Sequence, residues 1–190
     1  MKSLRAFGTV LFSLALAGCA TTYRTPGGAA SIPEITEEEV AEVFAREPAA
    51  GFPANLIVVR IQAPEYYSYS LSSYGRGRYS IVTTRDIETD DDFARLEAMP
   101  HVADVGTISR VLLPADLKST KQLCQAAAQL RGDIVLMYTV DTTFHTESEP
   151  LGPFSLVSLG FIPNKTSHVT STCSAAFIDV RTGYVYGITE

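Results

Sequence analysis

The 190-residue chain has no tryptophan and only three cysteines, three methionines and three histidines. The histidines, His101, His145 and His168, stand singly in sequence with no short ligand spacing, so a His-rich metal centre has no signature. There is no Gly-x-Ser-x-Gly elbow, no Gly-rich phosphate loop ahead of a helix and no His-Glu-x-x-His, which removes the usual marks of a hydrolase, a nucleotide-binding enzyme or a zinc protease. Positive charge is scarce as well: 15 Lys and Arg stand against 21 Asp and Glu, for a net charge of −6. Such a balance argues against nucleic acid as a partner and against electrostatic adhesion to anionic lipid. No apolar run reaches the roughly 20 residues of a membrane-spanning helix.

What is present is most specific at the start. Lys2 and Arg5 precede a short apolar stretch from Phe7 to Ala15, which closes on Leu16-Ala17-Gly18-Cys19. This order resembles the lipobox signal of bacterial lipoproteins, a variant of the secretory signal architecture. The resemblance implies removal of residues 1–18 and a covalent lipid on Cys19, the first mature residue. Ala20, standing where an aspartate would resemble an inner-membrane retention signal, points to the outer membrane and its periplasmic side. Loss of Lys2 and Arg5 leaves a still more acidic body, so attachment rests on acyl chains that contribute about 0.8 kcal/mol per buried methylene. No cofactor beyond this lipid, and no metal, is expected. The chain then divides into a signal (1–18), a lipidated tether (19–33) rich in Thr, Gly and Pro, and one periplasmic domain (34–190).

Within the domain, Thr36 and Glu39 are spaced as a capping box ahead of Val40, Val43 and Phe44, which predicts a helix packing on the following strand, NLIVVRIQ (Asn55–Gln62). Strands are also expected over Ser80–Ile87 and Val102–Leu113. Between them, Thr89 with Asp90, Asp91 and Asp92 reads as a helix start rather than a calcium loop, with Phe93, Leu96 and Met99 facing inward. A third helix is predicted over Leu117–Arg131, with Leu123, Ala127 and Leu130 on one stripe and Gly132 as its stop. Asp133–Phe144 is the strongest strand. Strands over Phe154–Ile162, Ser167–Val180 and Tyr184–Thr189 form an antiparallel meander whose last turn uses Asp179 to close it and Gly183 at positive φ. This alternation predicts an α/β (α+β) domain: a mixed sheet with about three helices packed on it and a C-terminal antiparallel meander.

Two groups of residues are candidates for more than packing. Tyr66, Tyr67, Tyr69 and Tyr74 sit among serines, glycines and arginines in PEYYSYSLSSYGRGRYS, a composition shared by many binding loops and also by solvated hairpins. Cys124 and Cys173 remain once Cys19 is lipidated; they are candidates for a disulfide in an oxidising compartment, or for two buried thiols. His145 with Glu147 and Glu149, expected on a loop between strands, is the least ordinary polar group elsewhere, and a solvated acidic turn accounts for it equally well.

The segments GPFSLVSLGFIPN (Gly152–Asn164) and CSAAFIDVRTGYVYG (Cys173–Gly187) resemble the bacterial rhombotarget lipoprotein family, named for its co-occurrence with a rhomboid-type sorting protease. Some substrates of that protease carry a glycine-rich sorting tail with a hydrophobic segment, a feature the residues up to Glu190 do not display, so the resemblance leaves processing by that protease open. The order of helix, buried strand DIVLMYTVD, long strand and return strand is also similar to domains of the curli-export lipoprotein, of lipoprotein activators of penicillin-binding proteins and of the N-terminal part of the Tol-system propeller protein. Those domains bind other envelope proteins, which implies an interaction module. The sequence therefore points to a non-catalytic envelope binding or scaffolding module, anchored by its N-terminal lipid and meeting another envelope protein. The alternatives are a subunit of a secretion or envelope-assembly complex that recruits a strand at Tyr184–Thr189, and a metal-dependent or hydrolytic enzyme using His145, Glu147 or His168.

Overall fold

The computed structural model describes residues 21–24, 40–67, 72–148 and 165–190. In chain order the elements are β1 (Thr21–Arg24), α1 (Val40–Phe44), β2 (Ala54–Gln62), β3 (Arg76–Gly77), β4 (Ser80–Val82), α2 (Asp90–Glu97), β5 (Val102–Thr107), a single 3-10 turn (Arg110–Leu112), β6 (Asp116–Leu117), α3 (Thr120–Gln129), β7 (Ile134–Ser148), β8 (Lys165–Asp179) and β9 (Val185–Thr189). They divide into two compact units, Met1–Arg24 with Thr142–Ser171 and Thr25–Asp141 with Thr172–Glu190. The expected mixed α+β architecture with a C-terminal antiparallel meander is the one found.

In the larger unit the β-branched run of β2 forms the sheet's interior. It pairs parallel with β7, Leu56–Arg60 matching Ile134–Tyr138, and on its other edge parallel with β5 and then antiparallel with β4. The strand order β4-β2-β7-β8-β9 leaves β9 at one margin. Side chains alternate across the sheet. Ile57, Val59 and Ile61 join Val135, Met137 and Ile178 on the face covered by Leu123, Ala126 and Ala127 of α3. Leu56, Val58 and Ile134 face the other way, toward Phe93 and Leu96 of α2. The smaller unit holds β1, paired antiparallel with the later part of β7 from Thr21 opposite Thr146 to Arg24 opposite Thr143. Four residues of the expected tether thus form a strand, since Thr and Tyr suit a ladder and β7 offers one.

Several expectations change. α1 keeps a little more than one turn, and Val40, Val43 and Phe44 are exposed, Phe44 at 85%. A helix this short presents too little surface to pack on β2; its expected cap, Thr36 and Glu39, lies outside the described residues. β4 ends at Val82, well short of Ile87. The strand expected to run to Leu113 stops at Thr107, because Ser109 Oγ accepts from Val111 N and caps the 3-10 turn, leaving Val111 exposed. α3 starts at Thr120, after Gln122 Oε1 has accepted from the amides of Lys118 and Ser119 at 2.7 and 3.2 Å. Leu117 belongs to β6 and is fully buried, and Leu130 is largely exposed. Arg131, at φ +59°, is the left-handed residue that ends α3. Gly132 is required for another reason: a Cβ there would lie 2.3 Å from Ile57 Cγ1. The expected strand Phe154–Ile162, with the Gly152–Asn164 segment, lies outside the described residues.

Candidate functional site

The tyrosine segment splits into anchors and an exposed tip. Tyr66 is buried with Val82, its ring 5.9 Å from the Arg60 guanidinium. Its carbonyl accepts from Ser73 N at 3.1 Å and Ser73 Oγ at 2.7 Å, and Tyr67 bridges Ser72 antiparallel, so the two arms are tied at a neck. Tyr74 exchanges both backbone hydrogen bonds with Ile81 at 2.7 and 2.8 Å, and its hydroxyl donates to the Leu113 carbonyl. Tyr79 is fully buried and donates to the Ser119 carbonyl at 2.9 Å; burial, then the neighbouring Cys124, pushes its hydroxyl pKa up. Tyr67 alone of the candidates is exposed, at 64%, while Tyr69 lies outside the described residues.

Below the neck, Gly75 at φ +97° and Gly77 at φ +106° bring the chain against β6: a Cβ on Gly75 would lie 2.4 Å from Leu117 Cδ1, and one on Gly77 2.4 Å from the Leu117 oxygen. The amides of Arg76 and Arg78 donate to Ala115 and Leu117 at 2.7 and 2.8 Å. Glu65, at φ +60°, turns the opposite arm in the left-handed region, a conformation uncommon outside glycine. Together these arms enclose an open groove of about 450 Å³, lined by Tyr66, Tyr67, Ser72, Tyr74 and Arg76 among others. Its volume lies within the roughly 300–1,000 Å³ of ligand sites. It presents aromatic rings, serine hydroxyls, a guanidinium and the Glu65 carboxylate.

The polar cluster that the sequence reading missed lies in β2. Arg60 is 5% exposed; its Nη1 donates to Asp86 Oδ1 at 2.6 Å and lies 3.9 Å from Glu88 Oε1, which also accepts from the Tyr138 hydroxyl. Arg60 Nε and Glu88 Oε2 are buried without a hydrogen-bond partner. The adjoining cavity, about 40 Å³, has room for a water-sized group and no substrate. An arginine inside an otherwise apolar strand was the available signal; its acidic partners lie 26 and 28 residues onward, where no local pattern points.

The other candidates are held apart. Cys124 is half-buried on α3, Cys173 is exposed on β8, and no disulfide joins them; the exposure of Cys173 also departs from the expectation of two buried thiols, because among the described residues β8 is exposed throughout 166–173. Thr89 caps α2 as expected. Its hydroxyl and amide donate to Asp92 Oδ2 at 2.7 and 3.0 Å and hold that carboxyl below its usual range. His101 packs edge-on against Phe52, and His145 Nε2 lies 3.0 Å from Glu147 Oε1. Among the described residues, no three His, Cys, Asp or Glu side chains converge as a metal centre. Nor is any helix among them long and apolar enough to cross a membrane. Cys19 lies outside the described residues.

The chain matches no protein-family model, no curated protein and no solved structure.

Proposed function

We propose that this protein is a lipid-anchored module on the periplasmic side of the bacterial outer membrane that binds another envelope protein and carries out no reaction of its own. The observation that carries the reading is the groove beneath the Tyr66–Ser73 neck. Tyr66 and Tyr74 are fixed by the core, so the groove is held open before a partner arrives, and Tyr67 projects a large amphipathic ring with few rotors to freeze. The lipobox ending in Cys19 and the net charge of −6 support attachment through lipid alone. Only Ala20 separates Cys19 from β1, so in this reading the β1–β7–β8 ribbon lies at the headgroups. The likeness to rhombotarget lipoproteins belongs to the same proposal.

A photo-crosslinking residue placed at Tyr67 is expected to capture one envelope protein in cells, and Tyr67→Ala with Arg76→Glu to abolish capture from a probe at Ser72, which also lines the groove. Capture undiminished by both changes sinks the groove as the contact. Separately, Cys19→Ser is expected to release the protein into the soluble periplasmic fraction; retention after a carbonate wash refutes the lipid anchor.

A second reading, a subunit of a secretion or assembly complex, draws on β9. That strand pairs with β8 on one side, carries no charge or proline, and exposes Val185 at 41% and Ile188 at 69%. Natural edge strands usually carry such protection, and a bare edge suits the addition of a partner strand. Ile188→Lys, expected to leave folding intact and to block assembly, separates this reading from the groove.

A further inference from the structure

We propose that one face of the β7–β8 ribbon, the face bearing Phe144 and Val169, is a lipid-contacting surface that seats on the boundary between headgroups and acyl chains of a phospholipid bilayer. This rests on the lipid anchor proposed above and names the side of the ribbon that meets the membrane. β7 runs through His145 and Glu147, which the sequence places on a loop, to Ser148. It neighbours β8 in the sheet, and two hydroxyl contacts set which residues stand opposite each other. Thr142 Oγ1 lies 3.0 Å from Ser171 Oγ, and Thr146 Oγ1 lies 3.1 Å from Ser167 Oγ. Advancing four residues on β7 retreats four on β8, so the strands pair antiparallel and Val169 stands opposite Phe144. Alternation puts both of them between the two hydroxyl pairs, on the same face.

The two faces differ in charge. On the first, Phe144 is 41% and Val169 59% exposed, and none of the six residues from Thr142 to Thr146 and Ser167 to Ser171 that share this face is charged. The opposite face carries His145 and Glu147, whose side chains meet at 3.0 Å, with that of Glu147 61% exposed. An apolar centre rimmed by hydroxyls suits the bilayer boundary, where acyl chains and headgroups adjoin. A carboxylate turned the same way would lose water and be repelled by anionic headgroups. The anchor supplies the proximity. Thr21, the first residue of β1, pairs with Thr146 of this ribbon, and the two residues from Cys19 to Thr21 span at most about 7 Å. An acylated Cys19 thus holds the ribbon against the bilayer, and at that effective concentration two apolar side chains suffice to choose which face turns inward. The anchor brings lipid, and no particular protein, to this position.

Because the chain has no tryptophan, single tryptophan substitutions are direct reporters. The test uses the full chain, purified in detergent and reconstituted on vesicles of phosphatidylethanolamine and phosphatidylglycerol, with matched vesicles carrying brominated acyl chains as quencher. Phe144→Trp and Val169→Trp report on the proposed face; Thr143→Trp and Thr170→Trp, each one position away, report on the opposite one. Burial by about 5–10 Å into the boundary predicts blue-shifted emission and about twofold or stronger bromine quenching for the first two variants relative to the second two. Val169 and Thr170 are both exposed, so that pair carries the comparison even where a β7 variant does not fold. Equal quenching of the two faces in chains that float with the vesicles overturns this proposal and leaves the anchor standing. A blue shift at Phe144→Trp or Val169→Trp without bromine quenching places protein on that face and overturns it too. Chains that do not float with the vesicles refute the anchor, and this proposal with it.

Discussion

The Tyr186 hydroxyl donates to Asp179 Oδ2 at 2.9 Å, and the same oxygen accepts the amides of Ala49 and Ala50 at 2.7 and 2.8 Å. Oδ1 accepts from Arg181 N and Thr182 N, closing the turn into β9. One carboxylate thus ties the segment before β2 to the final hairpin. Burial alone would raise its pKa; the N–H donors of Ala49, Thr182 and Arg181 and the Tyr186 hydroxyl outweigh burial and hold it at about 2. Tyr186 in turn is raised, by burial first and then by this carboxylate.

Asp179→Ala should therefore cost about 3 kcal/mol or more, since it strands several amide donors at once. The ionic part of Asp179's contribution has a defined pH window. Its folded pKa lies below the ordinary value of about 3.9, so the stabilisation is fully present above about pH 4 and is lost as pH falls through about 2. Urea midpoints measured between pH 5 and pH 2 should fall less steeply for Asp179→Asn than for the parent chain. Parallel curves would remove Asp179 from the acid response.

Gly132→Ala should destabilise the fold by about 1–3 kcal/mol, because the added methyl meets Ile57 Cγ1 at 2.3 Å and the Ala127 oxygen at 3.2 Å. Gly51→Ala is the control. Nothing lies within 4 Å of a Cβ there, so its urea midpoint should stay level or rise slightly.

Arg60→Met removes the cation from a buried acidic pair and should cost about 3 kcal/mol. Lys118→Met, which breaks an exposed pair with Asp116 at 2.8 Å, should cost less than about 1 kcal/mol. Equal losses in chemical denaturation would show that burial does not set the strength of these pairs.

The two thiols should differ in rate. Cys173 is exposed and Cys124 half-buried under the packing of α3, so a maleimide should label Cys173 first in the native protein and both only on unfolding. A faster Cys124 contradicts the placement of α3.

Tyr79→Phe should cost about 1 kcal/mol through the lost bond to Ser119 and leave partner capture unchanged, whereas Tyr67→Ala should do the reverse. Thermal melts and crosslinking yields measured on the same two variants read this division directly.

The residues themselves determined the parts governed by neighbours in sequence. The β-branched run of β2, the Thr89 cap of α2, the long apolar start of β7 and the Asp179–Gly183 turn all follow from periodicity and local hydrogen bonding. The order of residues up to Cys19 that resembles a lipobox is likewise a local pattern. Only tertiary structure decided which tyrosines anchor and which project, since Tyr66, Tyr67 and Tyr74 share composition and differ only in what lies beneath them. It also decided that Arg131 ends α3 and that Gly132 makes room for Ile57, a neighbour 75 positions earlier. The same holds for Arg60 with Asp86 and Glu88. Sequence pattern fixes a residue's face on its own element, but strand register and burial join faces from distant segments, and those are set by packing of the whole sheet.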